Sequence, residues 1–286
     1  MAPLRIALAQ LAAGPDRAAN LVRVLDVMGE AKRAGAGLIA FPEIILDRFF
    51  PQSRDHREAA FQLAEPIPGP TSDRIAERAR ELGLVTVFNL YELDVSSGST
   101  GIERRFDSSP VFDADGRLLG VTRMLHITDY EGFYEQSYYS PGAPGDRGMP
   151  VYDTRIGKVG VAICYDRHYP EVMRALGVAG AELVVIPQAG AVGEWPEGLY
   201  EAEVRTAAFQ NGYFVALANR AGVEEKLHFA GESFVVDPDG KILARSTSPG
   251  EDLLLVDVDL AACQTSTARR LFWQHRRPEI YRGWEP

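Results

Sequence analysis

Cysteine is scarce in this chain of 286 residues, which contains only Cys164 and Cys263. Two cysteines cannot supply the disulfide framework that stabilises small secreted scaffolds, so that class of protein is excluded. Long apolar runs are absent as well, because no stretch approaches the roughly 20 apolar residues that a membrane span needs. The first residues, MAPLRIALAQLAAG, lack the basic leader and apolar run of a secretory signal. These absences predict a cytoplasmic protein in reducing conditions, without a membrane partner.

Positive charge is in short supply too. The chain has 30 Lys and Arg residues against 40 Asp and Glu residues, and its formal net charge is −10. An acidic surface repels phosphate backbones, which disfavours a nucleic-acid partner. The histidines are scattered, and none forms a two-histidine motif with a matching acid, so we predict no catalytic metal. No glycine-rich loop has a phosphate-binding spacing, and we predict no cofactor. The expected partner is a small molecule.

What the chain does have is apolar material and a regular alternation of strands and helices. Hydrophobic residues make up 46% of the sequence, which suffices for a sizeable core. The stretches RIALAQL, GLIAFPE, LVTVFNLYEL, VGVAIC, ELVVIPQ and YFVALAN are typical of strands. Between the first strands, one predicted helix stops near Gly35. A second is predicted to begin at Thr71 or Ser72 and to end at Gly83.

Two hairpin segments resemble each other, VFDADGRLLG in the first half and VVDPDGKILA in the second. Such internal similarity predicts two related halves, each contributing one sheet. No low-complexity linker separates them, so we predict a single domain over residues 1–286. The final stretch, about 264–286, mixes arginines with large aromatic side chains. We expect it to pack at the interface of a homodimer or larger homo-oligomer, or back on its own body.

Two residues with useful chemistry follow predicted strands. Cys164 ends KVGVAICYD, where the carboxyl end of a strand meets the start of a helix. Ligands bind at such ends, and a thiol beside backbone N–H groups can ionise and attack a carbonyl. Glu43 follows LIAF and a proline, and an apolar wall there would raise its pKa, as suits a general base. The alternatives are a buried core cysteine and a solvated loop glutamate; Cys263, in DLAACQ, is interpreted as structural.

The order of several motifs is more specific than either residue. FPE and ICYDRHYPE are followed by AGAELVVIPQAG, EAEVRTAAFQNGYFVALANRAG, FAGESFVVDPDGKILA and RRPEIY. Over nearly its whole length the chain resembles the carbon–nitrogen hydrolase (nitrilase-like) superfamily, especially the branch of β-ureidopropionases and N-carbamoyl amidohydrolases. The resemblance implies an α/β fold, a four-layer αββα sandwich with two pseudo-symmetric halves. It also implies a hydrolase that cleaves a non-peptide amide or N-carbamoyl C–N bond through a cysteine thioester, releasing ammonia.

The resemblance assigns roles to four residues. Cys164 would be the nucleophile and Glu43 the general base, and the backbone N–H of Tyr165 would help to bind the oxyanion. Glu135, in GFYEQSYYSPG, matches a second family glutamate near the nucleophile. Its alternative is an exposed loop acid. A nitrile substrate is less favoured by the resemblance than an amide or carbamoyl group.

One position departs from the family pattern, Arg-Lys-x-His-[Ile or Leu], whose lysine completes a Glu-Lys-Cys triad. This chain has Met124 in the lysine's place, without any gap. Methionine offers neither a donor nor a charge, and removing one such electrostatic donor typically costs about 10²–10³ in rate. Two neighbouring residues are candidate substitutes for the lysine. Strand alternation points Arg123 to the opposite face, whereas His126, two residues after Met124, would point to the same face. Lys158 and Lys226 are the remaining candidates, and neither is favoured.

Met124 therefore leaves three interpretations open. The first is a working hydrolase, which the retained cysteine and glutamates favour. The second is a catalytically impaired or silent family member that acts as a binding or regulatory protein. The third is a chain in which the lysine was replaced deliberately in order to trap a substrate.

Further residues are candidates for substrate binding. Arg167 and His168 follow the nucleophile and could hold a substrate carboxylate, although Arg167 is expected rather to pair with Asp166 or Glu171. His126 is a candidate because strand alternation puts it on the same face as Met124. The loop PQAGAVGEWPEGLYEAEVR supplies Trp195, Glu197 and Tyr200, which are suited to a shaped pocket wall.

Overall fold

The computed structural model describes residues 4–94, 103–143 and 149–281. Its strands are β1 (Leu4–Gln10), β2 (Leu38–Ala40), β3 (Val85–Val87), β4 (Leu90–Asp94), β5 (Arg104–Phe112), β6 (Leu118–Arg123), β7 (Val151–Thr154), β8 (Gly157–Val161), β9 (Leu183–Gln188), β10 (Phe214–Asn219), β11 (Ala221–Glu224), β12 (Leu227–Ala230), β13 (Phe234–Val236), β14 (Ile242–Arg245) and β15 (Asp252–Val258). Its α-helices are α1 (Arg17–Arg33), α2 (Arg57–Phe61), α3 (Pro70–Leu82), α4 (Pro170–Val178), α5 (Leu199–Asn211), α6 (Ala262–Thr265), α7 (Thr267–Leu271) and α8 (Pro278–Tyr281).

Two sheets organise these elements. In the first sheet the strand order is β15-β1-β2-β3-β5-β4, with β6 paired to β5, and β1, β2 and β3 run parallel. In the second the order is β14-β13-β10-β9-β8-β7, with β8, β9 and β10 parallel. Strands β11 and β12 form a separate ribbon. Each predicted half contributes most of one sheet, while the late strand β15 returns to pair with β1 in the first sheet.

Three apolar clusters show how the layers stack. The central cluster joins residues of both sheets, including Leu8 and Val87 of the first and Val185 of the second. A second cluster packs α1 and α3 on the outer face of the first sheet. A third packs α4 and α5 on the outer face of the second sheet. The order of layers is therefore helix, sheet, sheet, helix, which confirms the predicted αββα sandwich.

Local details differ from the sequence-based predictions at two places. LVTVFNLYEL is two strands, because the chain leaves β3 at Phe88 and Asn89 and enters β4 on the other side of β5. Helix α3 begins at Pro70, since Gly69 takes the N-cap position and its N–H donates to the hydroxyl of Ser72. Proline suits the first turn of a helix, where an N–H has no partner within the helix.

The described part of the terminal stretch packs on the body of the same chain. The ring of Phe272 lies 5.7 Å from that of Phe209 on α5, and Arg269 lies over the ring of Trp273. Residues 282–286, which belong to the predicted interface segment, lie outside the described residues, and the interface itself stays a prediction. In the described ranges, no helix combines the length and the apolar character that crossing a membrane requires.

Candidate active site

Cys164 opens a 3₁₀ turn, Cys164–His168, just after β8. Its φ of 45° lies in the left-handed region, which is uncommon for a residue with a Cβ. Ile44, directly after Glu43, has the same φ of 45°. Strained residues of this kind persist where the surrounding structure holds them, and they cluster at functional sites. The backbone is thus constrained at both predicted catalytic positions.

Gln188, the last residue of β9, links Cys164 to Glu43. Its side-chain Nε2 donates to Sγ of Cys164 at 3.3 Å, and its carbonyl accepts from the backbone N–H of Glu43 at 3.5 Å. Arg167 holds both Gln188 and Cys164, because its Nη1 donates to Oε1 of Gln188 at 2.9 Å and to the carbonyl of Cys164 at 3.0 Å. One glutamine therefore brings the thiol and the Glu43 backbone together across the two sheets.

Two buried side chains hold the segment that contains Glu43. Asn89 accepts from the N–H of Ile44 at 2.7 Å through Oδ1. Arg220, which has no exposed surface, donates to the carbonyls of Glu43, Ile44 and Asp47 at 2.9, 2.6 and 3.0 Å. Because these bonds fix the backbone and leave the side chain alone, the Glu43 carboxyl is free to act on the site.

Asp107, on β5, adds a third buried carboxyl to Glu43 and Glu135, and all three residues are fully buried. Asn89 Nδ2 donates to one oxygen of Asp107 at 2.6 Å. The other oxygen, and both oxygens of Glu43 and of Glu135, have no hydrogen-bond partner among the described residues. None of the three pairs with a basic side chain within the described ranges. Together they form an acidic cluster, a name kept below for Glu43, Asp107 and Glu135.

The pKa values within the acidic cluster are raised. Burial is the largest cause in each case, followed for Glu43 and Glu135 by the charge of Asp107. The pKa of Asp107 rises from 3.8 to about 7 because of burial, although Glu43 lowers it.

The Cys164 thiol is also hard to ionise. Burial raises its pKa well above 9.0, the charges of Glu43 and Glu135 raise it further, and Arg167 lowers it. Conversely, the thiol lowers the pKa of Glu43 as a close side-chain neighbour. The sulfur and the carboxyl therefore act directly on each other, as proton exchange between them requires.

Met124 lies just after β6 and is fully buried, in the same apolar cluster as Cys164. None of the proposed substitutes takes the place of a lysine. Arg123 pairs with Glu92 at 2.8 Å through Nε, and Lys158 pairs with Asp153 at 3.1 Å on the surface. Neither of them, nor Lys226, is among the main influences on the pKa of Cys164 or of the acidic cluster.

His126 is engaged elsewhere. Its Nδ1 lies 2.8 Å from Oδ1 of Asp166, and its ring stacks on that of Tyr169 with centroids 3.4 Å apart. Asp166 also accepts the backbone N–H groups of Leu125 and His126. Asp166 is therefore committed to the segment after β6, which explains why it is not the partner of Arg167.

Arg167 pairs with neither Asp166 nor Glu171, the two acids predicted from the sequence. Its Nε lies 3.5 Å from Glu203 of α5, and its guanidinium lies over the ring of Tyr200. His168 Nδ1 lies 2.7 Å from the same Glu203. The signal for Glu203 is absent from the local sequence, because α5 reaches the nucleophile turn only through the packing of α4 and α5.

An aromatic wall stands beside the nucleophile. The ring of Trp195 lies 4.7 Å from that of His168 and 5.8 Å from that of Tyr130, and Tyr130 lies 6.3 Å from Tyr165. Glu194 binds this wall. The hydroxyl of Tyr130 donates to it at 2.7 Å, and the hydroxyl of Tyr200 also donates to it. Trp195 and Tyr200 are thus placed near Cys164. Glu197 is exposed and has no hydrogen bond, ion pair or ring contact among the described residues.

Besides Glu203 and Tyr130, sequence reasoning missed Asn89, Asp107, Gln188, Glu194 and Arg220. Asp107 had a signal, because aspartate is depleted in strands and this one stands inside RRFDSSPVF. A polar residue ending an apolar strand was the corresponding signal for Gln188. Among the described residues no group of three or more His, Cys, Asp or Glu side chains has a geometry that could hold a metal ion.

Comparison with known proteins defines the class. The carbon–nitrogen hydrolase family profile matches residues 5–268. The chain is 31% identical to an N-carbamoylputrescine amidase of Arabidopsis thaliana, over 96% of this chain and 92% of that protein. It is also similar to the crystal structure of a carbon–nitrogen hydrolase from Helicobacter pylori G27, with a TM-score of 0.83 and 26% identity over 98% and 97% of the two chains.

A third similar structure is a mutant amidase from Nesterenkonia sp. AN1 with the acetamide moiety of fluoroacetamide covalently added at the active site cysteine. Its TM-score is 0.77, and it is 27% identical over 99% of this chain and 97% of that one. The chain belongs to the carbon–nitrogen hydrolase family and is an enzyme of the amidase or N-carbamoyl amidohydrolase type. This confirms the branch of the nitrilase superfamily that the sequence motifs indicated.

Proposed function

We propose that this enzyme hydrolyses a small amide or N-carbamoyl compound through a thioester on Cys164 and releases ammonia. The observation that supports this most is the contact of Gln188 with both the Cys164 sulfur and the Glu43 backbone. The effect of the Cys164 thiol on the pKa of the fully buried Glu43 carboxyl, which burial raises, supports the same pairing. A carboxyl whose pKa is raised by burial is suited to bind a proton and give it up again, as a general acid–base catalyst must.

The steps follow from these positions. Cys164 attacks the carbonyl carbon while Glu43 accepts the thiol proton, and Glu43 then gives this proton to the leaving ammonia. Water activated by Glu43 or Glu135 hydrolyses the thioester. A carbamoyl substrate gives carbon dioxide as well. The N–H of Tyr165, in the first turn after Cys164, is suited to the oxyanion because the first N–H groups of a turn have no partner within it.

The name of the Arabidopsis relative and the cysteine adduct of the Nesterenkonia amidase support the substrate class and the nucleophile. The ring of His168 contacts Tyr165 and Trp195 of the aromatic wall, and Arg167 lies over the ring of Tyr200. We propose that this wall selects the substrate. We further propose that residues 1–286 act as one domain in a cytoplasmic homo-oligomer.

The test is ammonia release over a panel of N-carbamoyl amino acids, aliphatic amides and nitriles, together with the intact mass of the protein after exposure to fluoroacetamide. Wild type should release ammonia and gain one adduct on Cys164. Cys164→Ala should lose both, and the matched control Cys263→Ala should keep both. Cys263 is buried, and its thiol donates to the carbonyl of Glu182.

Two results would reject the proposal. Ammonia release that survives in Cys164→Ala excludes the thioester mechanism. If wild type releases no ammonia and gains no adduct over the whole panel, the result supports the alternative of a silent binding protein. The absence of a cation at Met124 favours that alternative.

A further inference from the structure

The acidic cluster has no basic side chain paired with it among the described residues. Three fully buried carboxyls stand next to a thiol, and five of their six oxygens have no hydrogen-bond partner within the described ranges. Burying an ionised carboxylate is costly unless a cation or donors compensate it. Met124, which is buried close by, supplies neither a charge nor a donor. The described site therefore holds no cation opposite these carboxyls, and their raised pKa values show that protons limit its charge while no cationic ligand is bound.

Tyr139 gives an independent sign that a ligand is missing from this place. It is 5% exposed, and its hydroxyl has no hydrogen-bond partner among the residues described. The charges of Asp107, Glu135 and Glu43, together with burial, raise the pKa of this hydroxyl, so it lies at the cluster. Buried hydroxyls are nearly always hydrogen-bonded, and an unpaired one beside unpaired carboxyls indicates a site that a polar group fills.

The chemistry of the missing lysine shows which group fits. Thiolate attack on a neutral amide creates an oxyanion, which a cation such as lysine stabilises. Thiolate attack on an amidinium or guanidinium carbon has the opposite need, because the electrophile brings its own positive charge and the tetrahedral adduct is neutral. Such an electrophile needs no lysine and gains from nearby carboxylates, which bind planar N–H groups through paired hydrogen bonds.

We propose that the physiological electrophile of Cys164 is cationic, a small amidine or guanidine, and that its charged N–H groups bind the carboxylates of the acidic cluster. This inference rests on the proposed thioester-type chemistry at Cys164 and narrows its substrate class. The aromatic wall agrees with it, because rings of tryptophan and tyrosine attract cations. Glu194 adds a fourth carboxylate behind that wall, bound by Tyr130 and by the N–H of Ala191.

The reaction balances without an additional reagent. The Cys164 thiolate adds to the amidinium carbon, while the thiol proton passes to Glu43. Glu43 returns the proton to one nitrogen, ammonia leaves, and a positively charged thioimidate remains on the sulfur. Water adds to that carbon, loses a proton to the acidic cluster and displaces the thiol. The sum is amidinium plus water giving amide plus ammonium, and for a guanidinium the product is a urea.

The experiment compares isosteric pairs that differ only in charge: acetamidine with acetamide, benzamidine with benzamide, and methylguanidine with methylurea. Ammonia release by the wild-type chain gives kcat/KM for each. We expect the cationic member to be at least tenfold better in the pair that reacts fastest. Ammonia from each cationic probe must match the amide or urea formed, which mass spectrometry quantifies.

Variants test the charge argument directly. Met124→Lys should lower the ratio of cationic to neutral kcat/KM by about 10²-fold or more, since it restores a donor for an oxyanion and repels the cation. Met124→Leu is the matched control and should preserve the ratio, because it changes shape but not charge. Asp107→Asn, nearly isosteric with the native residue, should lower the ratio at least tenfold. Circular dichroism establishes that each variant is folded before its ratio is used.

The possible outcomes separate this inference from the proposed function. If the neutral member of every pair is equal or better, the inference is wrong, and a protonated carboxyl then serves as the oxyanion donor. If the amide panel reacts while no member of any pair does, the inference fails alone. If panel and pairs are all unreactive and Cys164 takes no adduct, both proposals fail. If Met124→Leu lowers the ratio of cationic to neutral kcat/KM as much as Met124→Lys does, the preference for the cationic substrate depends on shape and not on charge.

Discussion

At the scale of single residues, the Glu43 carboxyl opposes ionisation of the Cys164 thiol by raising its pKa, whereas the thiol lowers the pKa of Glu43. The pKa of Cys164 is raised first by burial and then by Glu43 and Glu135, and only Arg167 among its main neighbours lowers it. An enzyme that needs the thiolate must therefore move the thiol proton onto Glu43 at the moment of attack, rather than hold a preformed thiolate. This agrees with the uncharged side chain of Met124 at the position where the family resemblance predicts a lysine.

The variant Glu43→Gln should consequently have opposite effects on two measurements. Removing the carboxylate lowers the pKa of Cys164, so alkylation by N-ethylmaleimide at pH 9 should become severalfold faster. Ammonia release should fall by about 10²–10⁴-fold, the usual contribution of a general acid–base group. Rates of alkylation against pH, measured in a Cys263→Ala background, check the first effect.

Glu171→Gln on α4 is the control, because Glu171 is exposed and is not among the main charges that act on the thiol. It should leave both measurements as in wild type. An alkylation profile of Glu43→Gln that coincides with that of wild type would mean that Glu43 does not act on the sulfur.

At the scale of elements, one arginine joins the end of β10 to the segment after β2. Arg220 donates to three carbonyls of that segment and pairs with Glu224 at the end of β11. Glu224 in turn accepts the N–H of Phe49 at 2.7 Å. The ribbon of β11 and β12 and the Glu43 segment are thus held as one unit by a buried ion pair.

Arg220→Met should lower the free energy of unfolding by about 3–5 kcal/mol, because it leaves Glu224 as an uncompensated buried charge. Arg205→Met is the matched control. Arg205 pairs with Glu201 on the surface and its side chain is 52% exposed, so its loss should cost at most about 1 kcal/mol. Urea unfolding of the two variants measures both values, and equal costs would show that the buried pair does not stabilise this unit.

At the scale of the whole molecule, the acidic cluster links stability to pH. A carboxyl whose pKa is higher in the folded state binds more protons there than in the unfolded chain, and so stability falls as pH rises between the two values. For Asp107 that interval runs from 3.8 to about 7. Its stabilising contribution is complete below 3.8 and is lost as pH rises to about 7.

Asp107→Asn should therefore stabilise the protein relative to wild type at pH 8 but not at pH 4. We expect a gain at pH 8 of at least about 1 kcal/mol, which corresponds to one unit of pKa shift. Urea unfolding at the two pH values gives the difference. Asp26→Asn, at an exposed position of α1, should show no such difference. A gain that is equal at both pH values would mean that Asp107 is not the group that titrates.

Much of the fold could be predicted from the sequence, because apolar periodicity and turn chemistry act within a few residues. The strands that end before Glu43 and Cys164 were recognisable in this way, and so were α1, α4 and α5. The division of LVTVFNLYEL into β3 and β4 was not, since both halves have the same apolar character. Only the position of β5 between them decides which edge each one pairs with.

The sequence by itself determined that a cysteine and a glutamate stand at strand ends, and it has a methionine at position 124, where the family resemblance predicts a lysine. The tertiary structure alone decided what surrounds them. Asp107 and Glu135 join Glu43, and Gln188 joins the thiol, although these residues are far apart along the chain. The physical reason is that residue identity and periodicity are local properties, whereas burial and the distance between charges, which set pKa values and the charge of a site, exist only after the sheets have packed together.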